Sequence, residues 1–155
     1  MRKFLVSIVL LLMASTLACA EDAFTKQIAL GRDRAGMTWY LTDYGTDSSG
    51  LYAIARKYYT NDDGKASAVE MLTSRYSIPP RRAANLYFVE YRYEYTSDEI
   101  RYAEAYRKYY DLLGNELFGI EFDDSSSPMR KVFINVTKNT IQSKGLAYAV
   151  GRLKK

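Results

Sequence analysis

Tyrosine is the side chain this sequence offers most freely. The chain holds fifteen, and Tyr87, Tyr91, Tyr93, Tyr95, Tyr102, Tyr106, Tyr109 and Tyr110 crowd into one short stretch. A phenol joins a flat apolar ring to a polar tip, which suits protein, peptide and glycan contact surfaces. Side chains alternate across a strand, so an extended Leu86–Tyr95 sets Tyr87, Val89, Tyr91, Tyr93 and Tyr95 in one row. Leu86, Phe88, Glu90, Arg92 and Glu94 form the other, its charged members expected in solvent. The candidate binding set is Tyr87, Tyr91, Tyr93, Tyr95, Tyr102 and Tyr106. Two outcomes stay open for it. An exposed contiguous row makes a contact surface, whereas buried rings are ordinary strand-forming core.

Covalent and metal chemistry find little here. The chain has no histidine and one cysteine. That removes Ser-His-Asp and Cys-His nucleophiles, His or Cys zinc sites and His-ligated haem. Glu90 and Glu94 on one strand face would stand about 13 Å apart at about 3.4 Å per residue. Glycosidase carboxylate pairs need roughly 5 to 9.5 Å. Asp123-Asp124 reads as a hydrated turn. Asn61-Asp62-Asp63 lacks the ligand order and closing glutamate of a calcium loop. No catalytic residue, metal ligand or cofactor is expected, and the protein reads as a binding or structural domain, not an enzyme.

The elements that would position the tyrosines begin after an export leader. Arg2 and Lys3 precede an apolar run from Phe4 to Met13, and Ala18-Cys19-Ala20 closes it with small residues. This order predicts a signal peptide over residues 1–20; the run is shorter than the 18 or so residues of a membrane span. Cleavage after Ala20 is the reading adopted. Lipidation at Cys19, with Thr16-Leu17-Ala18-Cys19 as a lipobox, is the alternative. Either route leaves the domain without a cysteine, so burial and the sheet ladder must hold it together. Arg2 and Lys3 leave with the leader, lowering the net charge of +4 by two. No dense basic stripe remains, which argues against nucleic acid. The expected address is the periplasm, the cell surface or the medium.

Residues 21–36 read as a linker or a short helix, with Phe24 and Ile28 four apart and Gly31 and Gly36 to end it. A single α+β domain over 37–155 follows. Met37, Trp39 and Leu41 alternate into a strand, and Asp43–Gly50 is a loop by composition. Asn61-Asp62-Asp63-Gly64 predicts a hairpin between extended runs 51–59 and 65–75. Pro79-Pro80 interrupts the sheet. Residues 99–111 fit helix or strand, with tyrosine density favouring strand. Leu113-Gly114-Asn115-Glu116 turns into a strand with Phe118, Ile120 and Phe122 on one side. Asn139 or Thr140 caps a closing helix whose stripe is Leu146, Ala149, Val150 and Leu153. Gly145 within it suggests close packing on the sheet.

In order, the Trp39 strand, the expected hairpin about Asn61-Asp62-Asp63-Gly64, Tyr91-Arg92-Tyr93-Glu94-Tyr95, Tyr109–Leu117 with its Tyr-Asp-x-x-Gly-Asn turn and the helix after Asn139-Thr140-Ile141 resemble the bacterial surface-adhesin protein E family, over about residues 37–150. The resemblance implies a twisted antiparallel sheet packed by a C-terminal helix, shown on the cell envelope and binding other proteins. It transfers no binding residue.

Overall fold

The structure, a computed structural model, describes residues 27–125 and 128–152. The expected leader with Cys19, Phe24 and Leu153 lie outside the described residues.

Period-two alternation builds a sheet. Strands β1 (Ile28–Arg32), β2 (Thr38–Asp47), β3 (Gly50–Tyr58), β4 (Leu86–Tyr95), β5 (Arg101–Asp111) and β6 (Glu116–Glu121) lie side by side in chain order, each antiparallel to the next. β7 (Ile134–Asn135) pairs with the start of β5. Helices α1 (Asp62–Tyr76), the one-turn α2 (Pro80–Ala83) and α3 (Ile141–Ala149) complete the α+β fold. Among the described residues no helix is long and apolar enough to cross a membrane.

Met37, Trp39 and Leu41 are buried, as their spacing predicts. The segment before them departs from expectation. Ile28–Arg32 is neither linker nor helix but an edge strand, whose Leu30 reaches the core beside Trp39 and Leu41. Asp43–Asp47 is likewise strand instead of loop, because backbone pairing to β3 continues past the apolar positions as far as Asp47↔Gly50.

The expected hairpin at Asn61–Gly64 is a helix start. Asn61 caps α1, its side-chain oxygen accepting from Gly64 N at 2.7 Å, and Asp62 and Asp63 sit at the positive end. Lys65–Arg75 then runs as helix instead of strand. Ala66, Ala68, Met71 and Leu72 are strong helix formers, and Ala68 and Leu72 bury one stripe. Gly64 serves contact, not turning: a Cβ there would lie 1.7 Å from Met37 Cε.

Two bulges in the β4–β5 ladder reset the alternation. A register slip between Leu86 and Phe88 leaves Tyr87 as the extra residue and turns Leu86 toward Val89, where a strict period of two sets them on opposite sides. A second slip opposite Arg92/Tyr93 leaves Ala105 extra on β5. Tyr102, Glu104, Arg107 and Tyr109 therefore share one face, and Tyr106, Lys108 and Tyr110 the other. That change of phase is why 99–111 fitted no single period, although it is strand throughout from Arg101.

Both longer helices lie on one face. Under α3, Trp39, Leu41, Ala53, Ala55, Tyr93 and Tyr95 pack with Leu146; under α1, Leu86, Val89, Tyr109 and Leu117 pack with Ala68 and Leu72. Thr140 caps α3 in a capping box with Ser143. Gly145 is needed for close approach: a Cβ there would meet Tyr95 Oη at 2.9 Å and Ala53 Cβ at 3.0 Å. The opposite face carries no helix among the described residues. On it Glu94, expected in solvent, is buried between Arg92 and Lys131, with Lys131 Nζ 2.8 Å from its carboxylate.

Candidate functional site

The six candidate tyrosines do not form one exposed row. Tyr93 and Tyr95 are only 3% and 4% exposed, beneath α3, and Tyr95 Oη donates to the Gln142 carbonyl at 2.9 Å. Tyr91 and Tyr102 are half-buried on the same face. Tyr106 lies on the opposite face, donating to Glu90 Oε1 at 2.9 Å. Tyr87, set aside by its bulge, meets the edge of Tyr58.

What the helices leave uncovered is a groove between them. One lobe, about 400 Å³, is lined by Trp39, Tyr91, Tyr93, Tyr102, Glu104, Arg107 and, from the returning chain, Arg130, Val132 and Ile134. A second, about 370 Å³, runs under α1 past Lys57, Tyr59, Ser67 and Met71 and shares Tyr91 and Arg107 with the first. Tyr91 and Arg107 are thus the common floor. They meet because Arg107 pairs with Tyr91 across β4 and β5.

The floor is a lattice of rings and cations. Trp39 and Tyr91 lie 5.2 Å apart, and Tyr91 stacks on Tyr93 at 5.8 Å. Arg107 sits 5.2 Å over the Tyr91 ring and Lys57 5.8 Å over Trp39. Each cation is held by one carboxylate. Glu104 takes two hydrogen bonds from Arg107, at 2.8 and 2.9 Å. Asp33 lies 3.3 Å from Lys57 and accepts from Trp39 Nε1 at 3.0 Å.

Electrostatics fix the protonation states. Burial pushes the Tyr91, Tyr59 and Tyr93 phenols well above their ordinary value. Burial opposes the charge on Arg107, but the Glu104 bonds outweigh it and hold the guanidinium charged. Burial likewise favours a neutral Asp33, yet the Trp39 and Met37 N–H donors and Lys57 prevail, holding its carboxyl below the usual range. At neutral pH the groove presents hydroxyl donors, fixed charge and an apolar lip. Val132 and Ile134 on that lip are 66% and 53% exposed.

A cavity of about 600 Å³ opens at the end of the β2–β3 hairpin, between Glu94, Lys131 and Phe133. Its lysine is engaged by Glu94 and Asp124, so it offers a partner less free charge. Sequence reasoning missed Arg107, Arg130, Val132 and Ile134. Only the bulge at Ala105 brings Arg107 beside Tyr91, and no periodic signal marks the return of residues 130–134 over the sheet. Comparison with protein-family models, curated proteins and solved structures finds no match to this chain.

Proposed function

We propose that the chain is an exported, non-catalytic domain of the cell envelope or surface that captures a protein or glycan partner, in the manner of an adhesin. One observation carries the reading: the helix-bearing sheet face is left open between α1 and α3, as a groove with an aromatic, cationic floor. The exposed Val132 and Ile134 side chains favour a protein segment, since aliphatic contact supplies binding without specific hydrogen bonds. The test is recovery of partners from envelope and host-matrix extracts by the wild type and by Val132→Asp/Ile134→Asp. Both substitutions lie at exposed positions and leave the core intact. Loss of a specific partner with the variant supports the reading, and equal recovery of every partner contradicts it.

The second reading is a structural or accessory envelope protein with no ligand of its own. The burial of Tyr93 and Tyr95 favours it, because those rings serve the core. Export is tested separately by cell fractionation: cleavage after Ala20 gives a product unaffected by Cys19→Ala, whereas lipidation makes membrane association depend on Cys19.

A further inference from the structure

The groove continues beyond Trp39. A third lobe, about 450 Å³, shares Trp39 and Gln142 with the tyrosine lobe and lies between the β1–β2 turn and the start of α3. Arg32, Arg34, Lys138 and Lys144 line it, against Asp33 as the one carboxylate. Asp33 is already engaged. Its Oδ1 accepts from Ala35 N and Met37 N, both at 3.0 Å, and its Oδ2 faces Trp39 and Lys57. Lys144 is tied to the Leu30 carbonyl. Arg32, Arg34 and Lys138 are exposed and have no carboxylate partner among the described residues, and the same holds for Arg130 in the neighbouring lobe.

Charge therefore runs one way along the groove. An entering chain meets unpaired cations at the α3 end and at Arg130, with aliphatic side chains between. We infer that the occupant is an acidic protein segment, its Asp or Glu side chains set against Arg32, Arg34, Lys138 and Arg130 and its apolar side chains against Val132 and Ile134. This rests on the binding reading above and adds the chemistry of the partner. An acidic glycan could meet the same cations, but the ring faces it would need are taken. Sugars bind aromatic sites through an open ring face, yet Trp39 has Tyr91 and Lys57 against it, and Tyr91 has Arg107 and Tyr93.

The test titrates the full chain, purified as the cell exports it, while following Trp39, the sole tryptophan. The probes are a Glu/Leu-alternating peptide, its Lys/Leu counterpart and oligogalacturonate. The acidic peptide should bind, weaken with salt, and lose about tenfold or more in affinity with R32E/R34E/K138E, since rim charges reversed together turn attraction into repulsion. Circular dichroism of that variant should match the wild type. Binding of the Lys/Leu peptide as tightly, unchanged affinity after charge reversal, or tighter binding of oligogalacturonate would overturn the inference. The two readings fail separately. If the acidic peptide does not bind while V132D/I134D still abolishes capture of an extract partner, the acidic specificity falls and the binding domain stands. If neither effect is seen, both fall.

Discussion

The two faces of the sheet handle charge in opposite ways. On the helix-free face, charges answer one another across strands, along one strand and from the returning chain. Arg56 meets Glu90 at 2.8 Å, and Arg92 bridges Asp47 at 2.6 Å and Glu94 at 3.3 Å, while Lys131 closes on Glu94. Tyr106 and Tyr52 add hydroxyl bonds to Glu90 and Asp43. On the helix-bearing face, Asp33 and Glu104 each hold one cation, and Arg32, Arg34, Lys138 and Arg130 remain over. Paired charge ties strands together. Cations without a counter-charge, lining a groove, contribute little to folding and are free for a partner.

The comparison predicts a graded set of effects. The largest belongs to the support of the groove wall: Leu72, fully buried between α1 and the sheet. Leu72→Ala should cost about 2–5 kcal/mol in urea unfolding, the usual range for a truncated core leucine. Next comes the helix-free face. Glu94→Gln removes the carboxylate that Arg92 and Lys131 share, leaving each with one partner, Asp47 and Asp124, and should cost about 0.5–1.5 kcal/mol. A variant as stable as the wild type would show that the paired charges do not hold this face.

Acid provides a smaller, sharper test. Asp33 titrates below its ordinary value of 3.8 in the folded chain. Its contribution to stability is therefore present above that value and is lost as pH falls through the lower folded one. The emission of Trp39, which donates to Asp33, should change over that acid range, and Asp33→Asn should remove the transition. The smallest effect is the most telling. Arg32→Glu with Lys138→Glu should change stability by no more than about 0.5 kcal/mol, as expected of surface positions without partners. A larger loss would mean these cations serve the fold.

Much of the architecture was legible, and the failures have local causes. Alternation at Met37–Leu41 and Phe88–Tyr95, the Thr140 cap and the Gly145 contact all emerge from residue type and spacing. Asn61-Asp62-Asp63-Gly64 misled because the same residues that favour a tight turn also cap a helix, and the helix-forming run after Gly64 decided between them. The site was harder to read. Strict alternation sets Tyr87 with Tyr91 and Leu86 opposite Val89, and one bulge undoes both. Glu94 reads as solvated because nothing in the strand announces that Lys131, distant in sequence, returns to bury it. Arg107 joins Tyr91 only through the second bulge, whose one trace in the sequence is the broken period of 99–111, and a broken period does not say at which residue the register slips.

Site-specific photocrosslinking in the living cell tests most directly where a partner sits. A photoreactive side chain at Ser67 or Ile134 would report from the groove, and one at Tyr52 or Lys108 from the helix-free face. A partner seated in the groove should give a discrete crosslinked product from Ser67 and Ile134 and none from Tyr52 or Lys108. Products confined to Tyr52 and Lys108 would contradict it, because the binding face would then be the one whose charges are already paired.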